Sequence, residues 1–228
     1  MLRIISQRNI AYYWTGQFIS SLGDWIFIVA FPFYVYQLTG SVFQSGITFI
    51  IEMLPQILLG PIVGVFVDRW DRRKILIICV LVEALLLYGL LFVHSVKDLW
   101  LLYSIAILLN IATVLSTPAT RAFVPLIARE NELLAVNSLL SLSDSVSRLV
   151  GPLLGGILFA LAGMGSIVIV DSLTFIIAAI CLFMVVLPQG TQTQDDDISS
   201  VELREELTFW LYWLLSYSSG PERLCAQR

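Results

Sequence analysis

The sequence predicts an all-α membrane protein of six transmembrane helices, arranged as two inverted three-helix repeats. Three observations predict it. The 228-residue chain is 58% hydrophobic and only 13% charged, with a mean hydropathy of +0.87, outside the range of soluble domains. Its apolar residues fall into six runs, at about 10–36, 44–67, 75–94, 99–127, 138–162 and 165–187, each near the roughly 20 residues that a bilayer crossing needs. The same Gly-Pro-x-x-Gly stands in the middle run of each group of three, Gly60 to Gly64 and Gly151 to Gly155. Three is odd, so the second group enters the membrane from the opposite side, and a repeat of this kind is inverted.

The first span is too long for a cleavable signal peptide, lacks a small-residue cleavage pattern and carries Asp24 in its middle. The second ends in Gly64, and a short charged hairpin follows with Asp68, Arg69, Asp71, Arg72, Arg73 and Lys74. Arg3 and Arg8 precede the first span, and Arg129 lies between the fourth and fifth, whereas the opposite connections carry Lys97 alone. The positive-inside rule therefore expects both termini in the cytoplasm. Trp70, Trp100 and Trp210 lie near span ends or in the tail, where an indole prefers the headgroup layer. Residues 1–188 are expected to form the six-span bundle and 189–200 a polar, acidic cytoplasmic linker. Residues 201–228 are expected to form an amphipathic helix and an irregular tail. The apolar part of that helix, Leu207 to Tyr217, is about half a bilayer crossing, so it is placed at the interface.

Several function classes are excluded. No basic stripe suggests nucleic acid, and the net charge of −4 reflects acids clustered in the tail. Cys79 and Cys181 sit in apolar runs and Cys225 in the tail, with no metal spacing. No nucleophile stands with a general base, so neither an enzyme nor a cofactor site is expected. The partners expected are the lipid bilayer and whatever the spans transport.

The segment Gly64-x-x-x-Asp68-Arg69-x-x-Arg72-Arg73 resembles the signature loop of the major facilitator superfamily, with Asp71 where the common signature has glycine. The span-five run from Arg148 through Gly151, Pro152, Gly155 and Gly156 resembles the Gly-Pro-rich motif of that superfamily's exporters. The phrases from Gly16 to Ser20, Ser21 to Trp25, Leu38 to Ser41 and Thr117 to Arg121 are similar to its macrolide-efflux and siderophore-export branch. The resemblance covers about residues 8–190 and implies the amino-terminal six-helix half of a transporter fold. It implies a truncated, frameshifted or half-size chain whose second half is missing or is supplied by another chain or a homodimer.

The resemblance implies that Gly64, Asp68, Arg69, Arg72 and Arg73 gate the cytoplasmic face. It also implies proton-coupled export of an amphipathic small molecule, a drug or siderophore, across the inner or plasma membrane. The alternative is a non-transporting fragment or a subunit that needs a partner half. Acids within spans cost roughly 2.5–3.5 kcal/mol at a helix centre on insertion scales, so Asp24, Glu52, Glu83 and Asp144 are candidate proton or substrate contacts. Asp24 is preferred. Asp144 and Arg148 share a helical face, and two readings stay open for them: an internal neutralising pair or a part of the pathway. Glu52 lies toward the outer half of span two, and Asp171 is expected close to the outer surface. Gly60, Gly64, Gly151, Gly155 and Gly156 are expected at close helix contacts, and Pro61 and Pro152 at kinks. Tyr12, Tyr13, Phe31, Phe33 and Tyr34 either line an apolar cavity or face lipid.

Overall fold

A computed structural model describes residues 7–67 and 70–186, the side chains of 61–62 and 64–67 excepted. The expectations for Asp68 and Arg69, for the linker and for the tail helix lie outside the described residues. Within them the chain is helical: α1 (Arg8–Thr39), α2 (Val42–Val67), α3 (Arg72–Gly89), α4 (Leu99–Ile127) and α5 (Leu133–Met184). Short 3-10 turns join α3 to α4 and α4 to α5. Five helices among the described residues are long and apolar enough to cross a membrane.

The fifth is two helices in one. Its 52 residues would extend about 78 Å as a straight rod, far more than a bilayer core of about 30 Å. The rod is broken at Gly163, where φ is 72° and ψ is −175°, a backbone region open essentially to glycine alone. A first limb (133–162) and a second limb (164–184) result.

Contacts along α1 give the direction of each limb. Going up α1, Gln7 Nε2 donates to Glu132 Oε1, Trp14 Nε1 donates to Ser143 Oγ, and Ile26 meets Gly155. Numbers rise together, so the first limb runs parallel to α1. With the second limb they run opposite: Asn9 bonds Val186, Gly16 packs on Ala178 and Gly23 on Thr174. Parallel then antiparallel is the parity that spans one, five and six of a six-span bundle require. The two limbs thus enclose α1.

Such packing has no hydrophobic driving force behind it, because lipid tails are as apolar as leucine. It depends on close backbone approach instead. A Cβ on Gly16 would lie 2.9 Å from Cys181 Cβ, and one on Gly155 would lie 2.7 Å from Ile26 O. A Cβ on Gly151 would overlap Trp25, and one on Gly23 would overlap Asp171 and Thr174. Gly60 and Gly156 differ from the expectation for them: among the described residues, no atom beyond the adjoining helix backbone lies within 4 Å of the Cβ position at either. Each therefore faces out of the described bundle rather than into a helix contact.

Polar clamps set the two ends. At one end Asn9 exchanges hydrogen bonds with the backbone of Val186 at 2.7 and 3.2 Å. At the other, Tyr34 Oη donates to Val93 O at 2.5 Å, Ser45 Oγ to Pro32 O at 2.8 Å and Tyr103 Oη to Gln44 O at 3.2 Å. Gly40, at φ 65°, ends α1 there by donating its N–H to Tyr36 O.

Gly155→Val is expected to lower the melting temperature of the purified protein in detergent, at a cost of about 1–3 kcal/mol from overpacking. Gly156→Ala is expected to leave it unchanged. Equal effects of the two would show that α1 is not held by close approach at Gly155.

Candidate functional site

The bundle forms a half-open cavity of about 600 Å³, walled by α1, α3, α4 and both limbs of α5, within the size range of small-molecule sites. Its polar groups divide by helix. Asp24, Ser20 and Ser21 come from α1, Glu83 from α3, a hydroxyl-rich face from α4, and Ser141, Ser143 and Asp144 from the first limb. Of the aromatic residues considered for an apolar cavity, Tyr13 lines it. Phe31 is fully buried in the core and Phe33 is 59% exposed.

The acids differ sharply in their company. Asp144 has three partners: it accepts from Trp25 Nε1 at 3.2 Å, from Ser21 Oγ at 3.5 Å and from Arg148 at 3.1 Å. The Arg148 guanidinium also lies 4.7 Å from the centre of the Trp25 ring, close enough for a cation–π contact. Arg148, Asp144 and Trp25 thus close a triangle with its charge neutralised internally. Arg148 does not itself line the cavity, and neither does Glu52.

Asp24 lines the cavity and has neither a hydrogen bond nor an ion pair among the described residues. Glu83 is 5% exposed and accepts from Thr113 Oγ1 of α4 at 3.2 Å. Asp171 overturns its expected place near the outer surface: it is 1% exposed and packs against Gly23, level with the middle of α1. It lies eight residues beyond Gly163, about 12 Å along the second limb, and the missing Cβ at Gly23 admits it. Its carboxylate accepts from Thr174 of its own limb at 3.3 Å. No group of three or more His, Cys, Asp or Glu among the described residues is placed to hold a metal ion.

The charged hairpin is legible in part. Asp71 caps α3, accepting from Arg73 N at 3.0 Å and Lys74 N at 3.2 Å, and its carboxylate lies 3.4 Å from Lys74 Nζ. A side-chain cap is a physical reason for aspartate where the common signature has glycine. The Arg73 guanidinium donates to Leu182 O at 3.2 Å and Phe183 O at 2.9 Å. It therefore satisfies the Phe183 carbonyl that the end of α5 leaves orphaned and shares the Leu182 carbonyl with Val185 N, where a cation also suits the helix dipole.

Sequence reasoning missed the polar face of α4. Thr113, Ser116, Thr117, Thr120 and Arg121 all line the cavity. The signal was present as polar residues at i, i+3, i+4, i+7 and i+8 in an apolar run, a helical stripe inverted in polarity.

The chain matches the Major Facilitator Superfamily over residues 13–220. It belongs to that family, whose members are transporters rather than enzymes, and its helices make it a multi-pass membrane protein. It is 30% identical over 196 residues to macrolide efflux protein A of Streptococcus pyogenes, covering 85% of this chain and 48% of that protein. It is 28% identical over 209 residues to the uncharacterized MFS-type transporter YfiS of Bacillus subtilis, covering 90% and 49%. Against the Staphyloferrin A transporter of Staphylococcus aureus it is 25% identical over 180 residues, 77% of this chain and 43% of that one. The chain spans about half the length of the curated relatives it matches.

Two outcomes are expected here. A double-mutant cycle of Asp144→Asn and Arg148→Gln, read by thermal unfolding, should give a coupling of about 0.3–0.5 kcal/mol, because the pair is half exposed; zero coupling would dissolve the triangle. Asp71→Ala should cost about 1 kcal/mol of stability, whereas Asp71→Gly should cost only a few tenths. Equal losses would argue against the cap.

Proposed function

We propose that this chain is the amino-terminal half of a secondary active transporter that exports an amphipathic small molecule, a drug or siderophore, against proton entry. The observation that carries the reading is the cavity of about 600 Å³ into which Asp24 opens without a counter-cation among the described residues. An ionisable side chain held at mid-membrane and facing an aqueous cavity is a functional candidate by its cost alone. Asp24 is the proton-carrying group in this reading. Ligand is held at mid-membrane while two six-helix halves rock about it. The relatives named for macrolide efflux and for a staphyloferrin support a small-molecule cargo.

Arg8, Arg72, Arg73, Lys74 and Arg129 gather at the end that Asn9 and Val186 clamp, and Lys97 stands at the other. That asymmetry supports a cytoplasmic position for the first end. On that face Gly64, Asp68, Arg69, Arg72 and Arg73 act as one side of a latch between the halves. Charge-assisted hydrogen bonds suit such a latch, being strong yet exchangeable.

The span of about half of each relative favours a second reading, a half-size unit that moves nothing without a partner half. One experiment separates the two. The chain is reconstituted alone in proteoliposomes with an imposed proton gradient, and radiolabelled erythromycin flux is measured. Gradient-driven flux that Asp24→Asn reduces at least about tenfold, the size of effect expected for a proton-transfer group, supports autonomous transport with Asp24 as the proton site. Flux indifferent to Asp24→Asn removes Asp24 from that role. No flux from well-folded chain, restored by co-reconstituting the carboxy-terminal half of macrolide efflux protein A, favours the partner-half reading.

A further inference from the structure

Thr113, Ser116, Thr117, Thr120 and Arg121 form one continuous polar face on α4, rising about 12 Å from end to end. The protons of its inner hydroxyls are already used. Ser116 Oγ donates to Thr113 O at 3.0 Å, and Thr117 Oγ1 donates to the same carbonyl at 2.8 Å. Thr113 Oγ1 donates either to Leu109 O at 3.1 Å or to Glu83 Oε1 at 3.2 Å. A hydroxyl has one proton and two lone pairs. With their protons turned to the backbone or to Glu83, these three oxygens offer the cavity acceptors rather than donors.

Arg121 stands at the far end of this face, six residues before α4 stops at Ile127. It is the one cation among the described residues that line the cavity. It is exposed there, and it has neither an ion pair nor a hydrogen bond among the described residues. Two other arginines are employed: Arg148 on Asp144 and Trp25, Arg73 on the carbonyls of α5. Asp144, an acid of the same cavity, already accepts from Trp25, Ser21 and Arg148. A guanidinium brings up to five N–H donors in a planar fork that suits a carboxylate.

We propose that this face of α4 reads the ligand: Arg121 holds a carboxylate, and Thr117, Ser116 and Thr113 accept from O–H or N–H groups deeper in the cavity. The class of ligand is an amphipathic hydroxy- or amino-carboxylate. This rests on the reading of the cavity as the place where the transported molecule binds. The bland competitor is an arginine that merely marks the positively charged side of the membrane, and it makes a different prediction.

The full chain is placed in lipid nanodiscs, and equilibrium binding of radiolabelled cholate, a polyhydroxylated carboxylate, is compared with that of methyl cholate, which lacks the charge. Empty nanodiscs supply the partition background. Arg121→Gln is expected to weaken cholate about tenfold, the scale of a lost charged hydrogen bond, and to leave methyl cholate unchanged. Arg121→Lys is expected to fall between, retaining charge without the fork. Thr117→Val is expected to weaken both probes about threefold, as a neutral hydrogen bond does. Cholate binding unaffected by Arg121→Gln overturns the anchor and leaves the topological arginine. Equal weakening of both probes by that variant overturns it as well, because the effect is then structural. Failure of both probes to bind the unaltered chain above background overturns the cavity reading itself, and this proposal with it.

Discussion

Everything described in this bundle depends on how closely the two limbs of α5 can approach α1. In a bilayer the burial of apolar surface between helices releases no structured water, so association depends on van der Waals contact and on interhelical hydrogen bonds. Contact of that kind is short-ranged, falling by a quarter to a half over a gap of an ångström or less. Glycines at 16, 23, 151 and 155 remove the Cβ atoms that would hold the helices apart. The break at Gly163 makes the arrangement possible at all, because one helix reverses there and flanks α1 on two sides.

The same approach organises the charges. Once Gly151 and Gly155 bring the first limb against Trp25 and Ile26, Asp144 comes within reach of the Trp25 indole, and Arg148 within reach of its ring. That polar cluster is closed. Gly23 admits Asp171 into the interior on the other side. Some polar groups are engaged within the bundle, such as Asp144 and Arg148, and two open to the cavity without a hydrogen bond or ion pair among the described residues, Asp24 and Arg121. A charge left open in a membrane-embedded cavity is costly.

Much of the fold was legible in the sequence, for a physical reason. A bilayer imposes a fixed span length and forbids unsatisfied backbone, so hydropathy alone yields helices and their approximate bounds. The site was legible only in part. Asp24 stands out by its cost in the middle of an apolar run, and the spacing of Asp144 and Arg148 announces a pair. Which of two readings that pair takes depends on Trp25, a residue 119 positions away from Asp144. Asp171 was expected close to the outer surface, whereas the open face of Gly23 sets its burial. The α4 stripe was read as a family phrase, and its orientation toward a cavity is a property of neighbouring helices.

The sequence by itself determined the class of protein, the number and length of its apolar runs, the sidedness expected from its arginines, and the family marked by the run from Gly64 to Arg73. These follow from composition and spacing, which act along the chain. The tertiary structure decided which charges neutralise one another, which glycines are contacts and which lie open, and which hydroxyls turn toward the cavity. Those outcomes depend on which faces of separate helices meet. Helix faces meet through contacts between residues more than a hundred positions apart, such as Gln7 with Glu132 and Arg73 with Leu182, and no local pattern encodes them.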